Sequence, residues 1–295
     1  MKNIILPPRF KHDSIAYFIG QSISSQQDSQ KTAIHERVCF DFSRLEFIEP
    51  AGVTTLNNVI HFLITEDCEV QLQLPASRYS QAVTYLDDSG FFDAFSITLD
   101  RSRSLRKTTT AIQTVQFAEF QRWTKIVLTP WLMMHTKNSR SSFNDLESAI
   151  SEIFNNINDH AQCGGAATAF AQYYPKTNEI KIVIADLGVG ILTTVKKQQR
   201  DIVNDLKALE WASEMSNTSN STPRNRGVGL THIQQCVKNL NGVVMFKSGY
   251  ASMKAEDDKK AFNTEQYQYP GTYIEVILDS RNIPDIPDEE EDFEW

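Results

Sequence analysis

From Arg37 onward the chain alternates between residues spaced for strands and residues spaced for helices, and that alternation confines it to an α/β architecture. Arg37–Phe42 reads as a strand, and Leu45-Glu-Phe-Ile extends its apolar pattern. Pro50-Ala-Gly then opens a helix over Val53–Ile64, with apolar residues at 53, 56, 59, 60, 63 and 64. Val70-Gln-Leu-Gln-Leu is an alternating strand stopped by Pro75. A helix near Ser80–Asp87 and the apolar run Gly90-Phe-Phe-Asp-Ala-Phe follow. Upstream, Ile4-Ile-Leu and His12–Ile23 add one more strand and helix.

A chain of 295 residues accommodates two ordinary domains, and 41% hydrophobic with 22% charged residues is a globular composition. Asp100–Thr110, polar and basic, is the expected linker between them. No apolar run approaches the ~20 residues that span a bilayer, and the N-terminus lacks the apolar core of a signal peptide. Cys39, Cys68, Cys163 and Cys236 are scattered without metal-ligand spacing, the usage expected of reduced thiols in a cytoplasmic protein. The net charge of −8 is concentrated after Pro284, where seven acidic residues and no basic one occur. Without them about −1 remains, which gives no sign of a nucleic-acid surface. That end is expected to be a disordered, solubilising tail, or a docking peptide built on Phe293 and Trp295.

The second half carries four signals in order. In the first, Glu152 and Asn156 lie four residues apart in an amphipathic helix. Glu152, Asn156 and Asp159 fall within about 60° of one another, away from the apolar side made by Leu146, Ala149, Ile150, Ile153 and Ile157. Three asparagines in four positions are poor helix material, a conflict of the kind found where function overrides propensity. The second signal is the apolar strand Ile180–Ala185, ending in Asp186 and the glycines 188 and 190. The third is Arg224-Asn-Arg226-Gly227-Val-Gly229, opening a helix over Leu230–Leu240; such a loop can present N–H groups to phosphate, and is also a common plain turn. The fourth is Pro270-Gly271-Thr272 before the strand Tyr273–Leu278. Val115–His135 reads as a helix interrupted by Pro130, Thr193–Met215 as a charged helix, and Ser216–Pro223 as a mobile loop.

In order and spacing the four signals resemble the GHKL (Bergerat) ATP-binding fold shared by histidine kinases, anti-sigma-factor kinases, gyrase, Hsp90 and MutL. The first half resembles a STAS domain, on Phe40-Asp-Phe-Ser-Arg-Leu-Glu-Phe-Ile-Glu-Pro-Ala-Gly-Val and Tyr85-Leu-Asp-Asp-Ser-Gly-Phe-Phe-Asp-Ala-Phe. The resemblances imply a STAS-like β/α domain over 1–103, a GHKL α/β sandwich over 104–280 and an acidic tail over 281–295. By the GHKL resemblance ATP and Mg²⁺ are the ligands. Asn156 would bind the metal, and Asp186 the adenine amino group. Gly188 and Gly190 would permit close approach, Gly227 and Gly229 would cradle phosphate, and Thr272 would sit beside Asp186. Asp159 and Arg226 join the ATP-binding set, and Glu152 would be the general base. The Ser216–Pro223 loop occupies the place of an ATP lid. In signalling STAS members the turn before the helix carries a phosphoserine, but here it is Glu49-Pro50-Ala51-Gly52, without that hydroxyl. Thr54 and Thr55 read as ordinary first-turn residues, so this half is expected to be a docking module for a protein partner.

The chemistry is coherent on its own terms. An Asn carbonyl is an oxygen ligand of the kind magnesium prefers, and a carboxylate one helical turn away can orient a nucleophile beside a γ-phosphate. His135 lacks the neighbours of a histidine-kinase phosphoacceptor. The expectation is a cytoplasmic bacterial regulator whose ATPase cycle switches a partner. A serine/threonine kinase of anti-sigma type and a non-catalytic ATP-gated scaffold are its rivals. A homodimer is allowed, but no motif requires it.

Overall fold

In the run Ile180–Ala185 every residue but Lys181 is buried, because the strand that contains it is covered on both faces. The computed structural model describes residues 1–23, 37–75, 78–104, 106–160, 166–214 and 230–288, without the side chains of 117, 158–160 and 166. Within them the chain is a mixed α/β fold. Its N-terminal part has a parallel sheet, β1(Lys2–Ile5), β3(Arg37–Asp41) and β5(Glu69–Gln73), in the order β1-β3-β5. A short parallel pair, β2(Arg9–Phe10) and β4(Phe47–Ile48), lies beside α1(Ile15–Ile23), α2(Pro50–Thr65) and α3(Gln81–Asp88).

The second part is built on a five-stranded antiparallel sheet in the order β6-β7-β8-β10-β9. Its strands are β6(Gln113–Gln116), β7(Ala166–Tyr174), β8(Glu179–Ala185), β9(Val243–Glu256) and β10(Lys259–Asp279). The helices are α4(Phe120–Arg122), α5(Thr129–Thr136), α6(Asn144–His160), α7(Gly190–Lys196), α8(Asp205–Ala212) and α9(Leu230–Asn239). On one face of the sheet Ile180, Ile182, Ile184, Ile274, Val276 and Leu278 join the apolar sides of α6 and α9 in one core. On the other, Phe170, Val183, Ala185, Tyr269 and Tyr273 belong to the core of the N-terminal part. Both parities of β8 are therefore apolar, as expected of a strand buried on both sides.

Helix α2 lies between the two sheets, touching β5 on one side and β7 and β8 on the other. Leu56, Val59 and Leu63 are fully buried, each contributing about 1.5–3 kcal/mol. Gly52 is obligatory there: a Cβ would lie 2.7 Å from the Phe10 carbonyl oxygen. Thr54 and Thr55 are buried too, with Thr54 Oγ1 donating to the Pro50 carbonyl at 2.8 Å, an ordinary intrahelical bond. Glu49, at the N-cap, does not cap. It accepts from the His12 N–H at 2.8 Å and pairs with Lys181 of β8 at 3.3 Å. Behind it Glu275 of β10, wholly buried, meets His12 Nδ1 at 3.0 Å, the Tyr273 hydroxyl at 2.8 Å and Lys181 at 3.8 Å. Burial pushes the Glu275 carboxyl up, but His12, Lys181 and Tyr273 outweigh it and leave it below its usual range. A polar cluster thus fixes how the two parts meet.

Two expected elements come out differently. Val115–His135 is not one helix: β6 takes Val115, and a π-helix over Trp123–Leu128 precedes α5. Pro130 lacks an N–H and crowds the carbonyl four residues earlier, so the wider π turn accommodates it without a break. Thr193–Met215 is divided into α7 and α8, the second restarted by Asn204, whose side chain accepts from the Lys207 N–H at 2.9 Å. Asp100–Thr110 is strapped down, with Arg101 on Asp87 and Asp88, Arg103 on Asp93, and Thr108 bonded to Tyr173. The start of the acidic tail is also anchored rather than free: Ser139 N–H donates to Asp285 and Ser141 N–H to Asp288, at 2.9 and 2.8 Å, just ahead of α6. Residues 289–295, with Phe293 and Trp295, lie outside the described residues.

Candidate functional site

Asn156, Asp186, Gly190 and Thr272, from three separate stretches of the sequence, line one cleft between α6, α7, the end of β8 and the middle of β10. Ile153, Ile157, Ile191, Thr194, Leu230 and Ile274 complete its wall, so it is apolar with a few polar groups at defined places. It is narrow, about 40 Å³, room for a few waters.

Asp186 is the most constrained group in it. Only 2% exposed, it sits where β8 ends. Its own N–H donates to the Thr272 carbonyl at 2.9 Å, and Gly188 N–H donates to its Oδ1 at 2.6 Å. Burial pushes this carboxyl up to about 7, although backbone N–H donors, Gly188 first, pull the other way. At neutral pH it is poised between an acceptor-only carboxylate and a neutral acid.

Two glycines make this packing possible. Gly271 has φ +80°, and a Cβ there would lie 2.4 Å from the Asp186 carbonyl oxygen and 2.6 Å from its Oδ1. Gly190, at φ +75°, opens α7, and a Cβ would meet Ser248 Oγ at 2.9 Å. The Ser248 hydroxyl joins the two turns: it donates to the Gly271 carbonyl at 2.7 Å and accepts from the Ile191 N–H at 2.9 Å. Behind the site, Asn58 of α2 donates to the Ala185 carbonyl at 3.0 Å, one residue before Asp186, and accepts from Thr168.

Asn156 lines the cleft with an amide whose Nδ2 is buried and has no partner among the described residues. Glu152 does not line the cleft; it lies one turn earlier on α6, where its Oε2 is 3.0 Å from Nδ1 of His232 on α9. Gly188 touches the site through Asp186. The Asp159 and His160 side chains fall outside what is described, as do Cys163, the Ser216–Pro223 loop and Arg224, Arg226, Gly227 and Gly229. α9 begins directly after that glycine loop, at Leu230, which lines the cleft. Cys39 and Cys236 are free thiols. Among the described residues no group of three or more His, Cys, Asp or Glu side chains is placed to hold a metal ion, and no helix is long and apolar enough to cross a membrane.

Sequence reasoning did not single out Ser248, Asn58 or His232. Gly271 belongs to the Pro270-Gly271-Thr272 motif, in which the sequence assigns the glycine no role. A serine in a strand, an asparagine in a helix and a histidine on a helix surface have no local signature; only the fold brings them beside the candidate site residues. No protein-family model matches the chain, and comparison with curated proteins finds no match.

Proposed function

We propose that the cleft, opening from the about 40 Å³ it has here, binds ATP with magnesium, and that the chain is a GHKL-type ATPase joined to a STAS-like module, switching a protein partner. The observation that carries this reading is convergence: a helix, a strand end, a turn and a second strand bring Asn156, Asp186, Gly190 and Thr272 to one cleft. Asp186 accepts from the adenine amino group, while Ile153, Ile157, Ile191 and Leu230 supply apolar contact for the ring. Guanine has an oxygen in place of that amine and offers no donor at that position.

Asn156 fits a magnesium site through its amide oxygen, while its buried, unpartnered Nδ2 is left to donate to a phosphate oxygen. An acidic cluster is not needed, since magnesium beside a nucleotide takes its other ligands from phosphate and water. When bound, it would offset triphosphate charge. Arg226, Gly227 and Gly229 would contact the phosphates. Glu152 accepts the proton of the attacking water as the water oxygen bonds to the γ-phosphorus and the bridge to the β-phosphate breaks, releasing ADP. The partner would meet surfaces of the N-terminal half other than the α2 face, which β7 and β8 occupy.

Incubation with γ-labelled ATP tests the reading. Free phosphate supports the ATPase; label on a partner protein would instead make the chain a kinase. Intact ATP after binding would reduce it to a scaffold.

A further inference from the structure

His232 stands between two carboxylates of α6. Its Nδ1 is 3.0 Å from Glu152 Oε2, and its Nε2 is 3.0 Å from Asp145 Oδ1. A neutral imidazole can donate from only one nitrogen, so this bridge is fully made only by the protonated ring. Burial disfavours that charge, yet the bonds to Asp145 and Glu152 outweigh it and raise the His232 pKa. The two contacts are not equivalent. The Asp145 side chain is 60% exposed and Glu152's is 19% exposed, so the bond to Glu152 is the better shielded from solvent.

We propose that His232 is a positioning residue for Glu152: it holds Oε2, so that Oε1 is the oxygen presented to the nucleophile. Oε1 has no hydrogen-bond partner among the described residues. His232 follows Gly229 by three residues, so the same side chain ties the base to the helix that the glycine loop opens. This inference rests on the hydrolytic reading of the cleft; it adds the element that sets the base.

Two amide substitutions separate positioning from a structural tie. In His232→Asn the side-chain NH₂ falls near the place of Nδ1 and keeps the donor to Glu152. In His232→Gln it falls near Nε2 and keeps the donor to Asp145. Phosphate release (kcat and KM) and ATP binding are measured in the full chain for wild type and both variants. The expected result is that His232→Gln lowers kcat about 10–100-fold, the usual effect of losing a partner that orients a functional ligand. His232→Asn keeps kcat within a few-fold of wild type, and both bind ATP with nearly wild-type affinity. Equal kcat in the two variants, whether both low or both high, overturns the positioning role while leaving the ATPase reading intact. ATP binding without phosphate release in the wild type overturns the ATPase reading, and the role of His232 with it.

Discussion

Replacing Asp186 by Asn should stabilise the fold while weakening nucleotide binding. The carboxyl is 2% exposed, and burial raises its pKa from 3.8 to about 7. A folded-state pKa above the unfolded one means that stability is fully present below pH 3.8 and is lost as pH rises towards 7, because the unfolded chain gives up its proton first. Once the buried group is ionised, the difference corresponds to about 4 kcal/mol. Asparagine is neutral throughout and can still accept from the Gly188 N–H, but its NH₂ would face backbone donors that the carboxylate satisfies. That loss is worth about 1–2 kcal/mol, so a net gain of about 2–3 kcal/mol is expected at pH 8, turning into a net loss of about 1 kcal/mol near pH 4. The same change removes a charged acceptor for the adenine amine and should weaken ATP binding about 10–100-fold. Urea denaturation of both proteins at pH 4.5, 6 and 8 measures the first effect and calorimetric titration with ATP the second. A stability difference that does not grow with pH would refute the argument that Asp186 is ionised at a burial cost.

Glu152→Gln should retain ATP binding and reduce phosphate release at least about 100-fold, the contribution of a general base; wild-type turnover in this variant would remove the base from the scheme. Gly271→Ala adds a Cβ that would stand 2.4 Å from the Asp186 carbonyl oxygen at φ +80°, so it should cost about 1–3 kcal/mol and lose ATP affinity. Unchanged denaturation and binding would show that the turn can yield. Lys181→Met leaves Glu49 and Glu275 without their shared lysine, with His12 alone still beside Glu275, and should cost about 3–5 kcal/mol at pH 7 and less as Glu275 protonates in acid. A loss independent of pH would point to packing instead. Asn58→Ala removes the donor to the Ala185 carbonyl and should cost about 1–3 kcal/mol. Its melting transition is the readout, and no change would mean that α2 does not support the Asp186 strand end.

The elements legible in the sequence were those whose period and punctuation agree. The strand Ile180–Ala185, the helix carrying Ile153 and Ile157, and the turn into Pro50 all carry their own signals. β7, rich in alanine from Ala166 to Ala171, has no strand-like composition and is held as a strand by its neighbours on both sides. The long arm of β9 and β10 is likewise a tertiary product, with register shifts between Thr264 and Tyr273 that break any simple alternation. At the site, Asn156, Asp186, Gly190 and Thr272 were visible because each sits at a helix face or a turn. Ser248, Asn58 and His232 act across the fold, and sequence separation hides such contacts. The packing of α2 on the back of the large sheet was equally hidden, since Asn57 and Asn58 look like solvated helix residues until Thr168 and Ala185 are placed beside them.

Calorimetric titration of the full chain with ATP and with GTP, each with Mg²⁺ and with chelator, bears most directly on the cleft. One ATP per chain is expected, tighter with Mg²⁺ than without, and GTP weaker by at least about tenfold because guanine has no 6-amino group for Asp186 to accept from. Equal heats for the two nucleotides, or none for either, would contradict it.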